Sequence, residues 1–227
     1  MLRREVVFNL GEYMQNVTFY FDPSCPFSWI TSRWLSLVEK NRDVSIKWVP
    51  FSLALKNGEL LDAGNDVTPH GEGHRGSHKI LRVMQAIHDE GGLNLGTLYS
   101  VFGKLHFIDG HSYGDALLNI ASEEIQSSLD MSACADDESY DEALQGYIDD
   151  ATAVAGQDIG VPTIIFEMPD GSSGYFGPVL QSLPDEEDGL KLWDGLCLLA
   201  TDKHFYELKR GRPSGGPDVM STARVFE

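Results

Sequence analysis

The sequence predicts an α/β fold split by a helical insertion. Three observations carry this. A strand–helix–strand pattern occupies residues 17–51, a long stretch of helical periodicity with no strand signal follows, and strand signals return at residues 163–177 before a last helix. A chain of 227 residues fits one large domain, or one domain carrying a substantial insertion.

The first strand is Val17–Phe21, a β-branched and aromatic run ending at Asp22-Pro23. A helix then starts at Pro26, whose missing N–H costs nothing at the first helical position. Its apolar face is Ile30, Trp34, Leu37 and Val38, spaced i, i+4, i+7 and i+8. Val44, Ile46 and Trp48 alternate with polar residues and read as a second strand ending near Pro50-Phe51. Strand, helix and strand form a βαβ unit. Lys56–Arg75 is rich in Gly, Asp, Asn and His and reads as a loop. Helical patterns follow at Ile80/Met84/Ile87, at Leu98/Val101/Phe102/Leu105, more weakly at Leu117/Ile120/Ala121, and at Leu144/Tyr147/Ile148/Ala151. Thr163–Glu167, a turn at Pro169-Asp170-Gly171 and Gly174–Gly177 make a hairpin. The last helix spans about Pro184–Thr201, with Asp185, Glu186 and Glu187 complementing its dipole. The Gly- and Pro-rich tail after Arg210 is expected to be poorly ordered.

Composition excludes several classes. Hydrophobic residues at 42% and charged residues at 23% are ordinary for a folded chain, so disorder is not the main state. Seventeen basic against 35 acidic residues leave a net charge of −18, which argues against nucleic acid or an anionic membrane as partner. No apolar run approaches the roughly 20 residues of a membrane helix. Met1–Tyr13 does not read as a signal peptide. Three cysteines give no disulfide framework, so a reducing cytoplasm is the expected compartment.

The chemistry concentrates at Cys25-Pro26-Phe27-Ser28. A thiol at a helix N-terminus faces unpaired N–H groups and the positive dipole end, so its pKa is expected to fall. Ser28, three residues on, is expected to donate its hydroxyl hydrogen to the thiolate. It cannot close a disulfide, so a mixed disulfide at Cys25 needs a second thiol from solution. The bland alternative, a merely buried small cysteine, is outweighed by the strand–Cys-Pro–helix setting. Gly160-Val161-Pro162-Thr163 puts a proline at a strand start, where the peptide bond is cis or trans on sequence alone. A cis bond would turn a Val161 backbone group toward a ligand.

Together these segments resemble the thioredoxin-like fold with a DsbA-type helical insertion. More closely, Phe21–Trp34 resembles the mycothiol-dependent nitroreductase family of actinobacterial DsbA-like oxidoreductases. So do Ser52-Leu53-Ala54, Gly160–Thr163, Phe176–Leu180, Lys191–Asp194 and Phe205–Arg210, and the matches span nearly the whole chain. The resemblance implies a thioredoxin-like domain over residues 15–59 and 157–210, an inserted helical subdomain over 60–156, and a flexible tail over 211–227. It implies a cis Val161-Pro162 bond, Cys25 as nucleophile, and mycothiol as thiol co-substrate, with no metal. Pro26, Phe27, Val161 and Pro162 would shape the thiol- and substrate-binding groove. His106 matches a histidine near the family's site, although its spacing from Phe102 alone favours a boundary core histidine. Ser28 stands where other members have a second cysteine, which leaves a monothiol cycle.

Other candidates weigh less. His70, His74 and His78 would align on a helix, but Gly71, Gly73 and Gly76 argue for a lid loop over a metal site. Trp34 belongs to the core stripe, whereas Trp29 is a candidate for the pocket. Cys197 reads as structural, and Cys134 as an unreactive thiol among acids. The acidic run Asp136–Asp150 reads as a solvated face. The expected partners are a small-molecule thiol and a small-molecule substrate, with a homodimer left open. Two other classes stand beside the oxidoreductase: a glutathione-transferase-kappa-like isomerase of the 2-hydroxychromene-2-carboxylate isomerase type, and a non-catalytic ligand-binding relative.

Overall fold

The structure, a computed structural model, describes residues 16–60, 68–168 and 171–227. Met1–Tyr13 and the Pro169-Asp170 half of the hairpin turn lie outside the described residues. Strand β1 (Asn16–Phe21) pairs in parallel with β2 (Ser45–Pro50), and helix α1 (Pro26–Asn41) joins them. On its other side β1 pairs antiparallel with β3 (Thr163–Met168), which pairs antiparallel with β4 (Gly171–Phe176). The sheet order is β2-β1-β3-β4. Between β2 and β3 run α2 (Leu53–Lys56), α3 (Pro69–Asp89), α4 (Leu95–Gly103), α5 (Asp115–Ile125), α6 (Met131–Asp136) and α7 (Asp141–Ala155), and α8 (Glu186–Ala200) follows the hairpin. This is the thioredoxin-like arrangement with its helical insertion.

The pattern of β1 explains its central place. Val17–Phe21 are all buried because both faces of the strand are covered, so the run is β-branched and aromatic with no charged residue. Val17, Phe19 and Phe21 join a core with Trp34 of α1, Leu81 and Met84 of α3, and Tyr99 of α4. Tyr20 faces the other way, with Val49, Phe51, Ile165 and Ile148 of α7. Each of the fully buried rings contributes about 2 kcal/mol of hydrophobic stabilisation. No helix among the described residues is long and apolar enough to cross a membrane.

Two expectations fail here. First, residues 69–75 are helical: α3 begins at Pro69 with Thr68 as N-cap, its hydroxyl accepting from the Gly71 N–H at 3.2 Å. Three glycines weaken a helix by about 1 kcal/mol each. One of them is required, since a Cβ at Gly76 would lie 2.8 Å from the Tyr113 ring. The amphipathic run from Ser77 to Ile87 carries the rest of the helix. His74 and His78 therefore share a helix, but each has its own partner. His74 pairs with Glu59 at 2.8 Å, and His78 lies between Ser52 (2.9 Å) and Asp141 (3.0 Å). Among the described residues no three His, Cys, Asp or Glu side chains cluster to hold a metal. The acidic run is a solvated face as read: Asp136, Asp137, Glu138, Glu142, Asp149 and Asp150 are exposed, and only Asp141 is half-buried, where it pairs with Arg82 at 2.6 Å.

Second, the tail docks. Val219–Val225 form a 3₁₀ turn on the core. Thr222 is fully buried and its hydroxyl accepts the Trp29 Nε1–H at 2.9 Å. Phe226 stacks on Trp29 with centroids 6.0 Å apart, and Arg224 donates to the Leu183 carbonyl at 3.1 Å. Composition marks the Gly-Pro stretch before this turn and is silent about what the last residues can pack against.

Thr222→Val keeps the volume and orphans the buried indole N–H. We expect it to lower unfolding free energy by about 1–3 kcal/mol in urea titrations. An unchanged midpoint would mean that the tail does not dock in solution.

Candidate active site

Cys25 is the N-cap of α1, in extended backbone geometry, with Pro26 opening the helix. Its Sγ receives the Ser28 N–H at 3.4 Å. On its other side the thiol donates to the Val161 carbonyl at 3.4 Å. Val161-Pro162 is cis, as the resemblance implied. The helix N-terminus and the proline loop, 136 residues apart, therefore meet at one sulfur. Phe27 is half-buried beside the thiol, while Val161 and Pro162 are buried.

The loop that presents Cys25 is held by Asp22. This fully buried carboxylate accepts from the Ser24 N–H (2.8 Å), the Ser24 hydroxyl (2.6 Å), the Ser77 hydroxyl (2.7 Å) and the Leu53 N–H (2.7 Å). The Cys25 N–H bonds the Asp22 carbonyl at 3.0 Å. Tyr113 adds a clamp from the insertion, its hydroxyl donating to the Pro23 carbonyl at 2.7 Å.

These surroundings overturn the expected fall in the Cys25 pKa. Burial pushes the thiol up to about 11, and the nearby Asp22 carboxylate adds to the rise. The N–H groups of Ser28 and Phe27 and the guanidinium of Arg212 act the other way and do not outweigh it. In this form Cys25 is a thiol at neutral pH, consistent with its bond to the Val161 carbonyl. The Ser28 hydroxyl is also placed otherwise than expected. It is buried and accepts from the Tyr99 hydroxyl at 3.3 Å, so Ser28 reaches the sulfur through its backbone alone.

Trp29 is not a pocket residue. It is fully buried, stacks on Phe107 at 5.6 Å and carries the Arg33 guanidinium 4.4 Å over its ring. His106 lies in a π-turn over Lys104–Ile108 and stacks on Tyr113 at 4.2 Å. Its Nδ1 bonds the His111 carbonyl at 2.8 Å, which assigns the proton to Nδ1 and leaves Nε2 as an acceptor. Burial holds this imidazole below its ordinary range, against the pull of that hydrogen bond. Tyr113 links His106 to the Cys25 loop, bridging the two by stacking and by its hydroxyl.

All three cysteines are free. Cys197 is buried and its thiol is pushed up to about 12 by that burial. The Cys134 thiol is raised as well, by desolvation and then by Asp130, Glu90 and Asp137. A cavity of about 690 Å³ opens beside β2, lined by Glu39, Trp48, His88 and Asn94, and no residue of the Cys25 group lines it. Sequence reasoning missed Asp22, Tyr99, Tyr113 and Arg212. Asp22 had a signal, an acid directly after a β-branched and aromatic strand and three residues before the cysteine. The others depend on contacts across the fold.

Comparisons with known proteins bear on the fold and the family. A protein of Mycobacterium tuberculosis, the uncharacterized protein Rv2286c, is 29% identical over 214 residues, covering 93% of this chain and 87% of its own. Two solved structures share the fold. The cytosolic disulfide reductase DsbM from Pseudomonas aeruginosa with GSH has a TM-score of 0.52 at 14% identity, covering 81% of this chain and 100% of its own. A 2-hydroxychromene-2-carboxylate isomerase has a TM-score of 0.53 at 16% identity, covering 82% of this chain and 96% of its own. The family model described as mycothiol-dependent nitroreductase Rv2466c matches residues 24–210, the span that runs from the cysteine loop through the hairpin and last helix, and the chain belongs to that family.

Proposed function

We propose that the chain is a thiol-dependent oxidoreductase in which Cys25 is the only redox-active thiol and a small thiol, mycothiol, is the co-substrate. The observation that carries this reading is the Cys25 sulfur held between the Ser28 N–H and the Val161 carbonyl of the cis-proline loop. Cys25, once deprotonated, attacks one sulfur of a small disulfide; a new S–S bond forms and the other sulfur leaves as a thiolate that takes up a proton. Mycothiol thiolate then attacks the mixed disulfide, releasing Cys25 and carrying the substrate moiety away as a disulfide. With a carbon electrophile the mycothiol thiolate itself forms the C–S bond, by addition or with loss of the electrophile's leaving group, and the conjugate leaves without a covalent bond to Cys25. Ser28 cannot resolve the intermediate internally, so each turn draws on an external thiol. The Ser28 N–H stabilises the sulfur anion. Pro26, Phe27, Val161 and Pro162 form the groove walls, and His106 offers a neutral Nε2 to accept a proton near Tyr113. A reducing cytoplasm suits a catalyst that must keep Cys25 free.

A second reading is a thiol-cofactor isomerase of the 2-hydroxychromene-2-carboxylate isomerase type. The single cysteine of the Cys25-Pro26-Phe27-Ser28 motif favours it, because an isomerisation needs no resolving thiol. The high Cys25 pKa is what favours a third reading, a ligand-binding relative without turnover.

Intact-mass spectrometry after incubation with oxidised mycothiol, beside oxidised glutathione, separates these readings. We expect one adduct on Cys25, removed by the free thiol and missing from Cys25→Ser. No adduct, or an equal one in the control, would sink the redox reading.

The alkylation rate of Cys25 by iodoacetamide should climb about tenfold per pH unit from pH 7 to 10, since a raised thiol pKa leaves little thiolate at neutrality. Asp22→Asn removes a nearby negative charge and should move the profile to lower pH. A wild-type plateau already reached at pH 7 would contradict the raised thiol pKa.

A further inference from the structure

We propose that Arg212 is a specificity residue at the Cys25 site, and that it selects disulfides and electrophiles carrying a carboxylate close to the reacting atom. This deepens the redox reading of Cys25 and rests on it. The Arg212 guanidinium lies 4.7 Å over the Phe27 ring, two residues from the nucleophile. The side chain is exposed, and among the described residues it forms no ion pair, unlike Arg42, Lys79, Arg82, Lys104 and Lys191.

Its position is built by the chain around it. The segment from Phe205 to Gly216 is tied at both ends. The Tyr175 hydroxyl donates to the Phe205 carbonyl at 3.1 Å, and the rings of these residues pack at 5.9 Å. At the other end Gln181 Nε2 bonds the Gly216 carbonyl, and the Asp218 N–H donates to the Gln181 carbonyl at 2.8 Å. The docked turn beyond it fixes this end on Trp29, inside the same helix that Cys25 caps. The segment thus crosses the site as a strap, and Phe27 gives its guanidinium a flat face to rest on.

Charge gives the strap its chemical meaning. The protein carries 35 acidic against 17 basic residues, so its overall field repels anions. Asp22 adds a negative charge next to the sulfur. An anionic substrate approaching Cys25 needs a local cation, and Arg212 is a guanidinium in the matching place. Its planar fork suits a carboxylate with two parallel N–H bonds, and its cationic field reaches the same sulfur.

The test uses the full chain and two aryl disulfides, dithiobis(nitrobenzoate), which bears a carboxylate on each ring, and uncharged dithiodipyridine. In both reactions Cys25 thiolate forms a disulfide with one half; the other half leaves as a coloured nitrothiobenzoate thiolate in the first case and, after taking up a proton, as a neutral thiopyridone read in the near ultraviolet in the second. The second-order rates are measured with the Cys25→Ser rate subtracted, and their ratio is compared across variants. The ratio cancels any change in Cys25 ionisation. Arg212→Ala should lower the preference for the carboxylate-bearing disulfide by about threefold to fivefold, the size of a partly exposed charge pair. Arg212→Glu should lower it by about tenfold, and Arg212→Lys should keep most of it. High salt should compress the wild-type preference toward that of Arg212→Ala. A ratio unchanged in both Arg212→Ala and Arg212→Glu overturns the inference while leaving the reactive Cys25 standing. If Cys25 reacts with neither disulfide, the redox reading falls and this inference falls with it.

Discussion

The fully buried Asp22 carboxylate is the constraint on which the rest of the site depends. Its four hydrogen bonds come from three places: the cysteine loop itself, the N–H at the start of α2, and Ser77 in α3. A carboxylate removed from water is costly unless its lone pairs are filled, and filled ones are strong because the acceptor is charged. The inserted helices and the sheet domain therefore share one electrostatic anchor. That anchor lies three residues from the nucleophile and fixes where α1 begins.

The same anchor sets an electrostatic contest at the sulfur. Backbone N–H groups at the head of α1 favour the thiolate, and so does the guanidinium on the strap. Burial and Asp22 favour the thiol and prevail. A helix N-terminus by itself does not make a cysteine reactive; the outcome depends on how much water the fold leaves beside the sulfur. Here the Val161 carbonyl accepts the proton that the helix alone would have released.

Local patterns in the sequence were enough for β1, α1, the hairpin and the N-cap cysteine, because each is decided by residues within a few positions of one another. What escaped was decided at long range. The glycines of α3 look like breakers until Tyr113 is seen filling the space at Gly76. Ser28 looks like a donor to Cys25 until Tyr99, 71 residues on, takes up its hydroxyl. Trp29 follows the motif in the chain, yet its ring points into a core of Phe107, Arg33 and Phe226. The family resemblance located the cis Val161-Pro162 bond, which X-Pro statistics alone leave undecided.

The bond between Trp29 and Thr222 joins positions 193 residues apart. During synthesis the indole of α1 leaves the ribosome long before the hydroxyl that satisfies it. Until then a large aromatic in the helix that carries the nucleophile lacks both its polar partner and the ring of Phe226. At about 5–20 residues per second, that interval lasts on the order of ten seconds or more. The nascent chain thus passes through a stage in which the sheet can assemble while the helix behind the cysteine is still incompletely packed. A chaperone that recognises exposed aromatic surface would meet its binding site in that window, and completion of the C-terminal turn would close it.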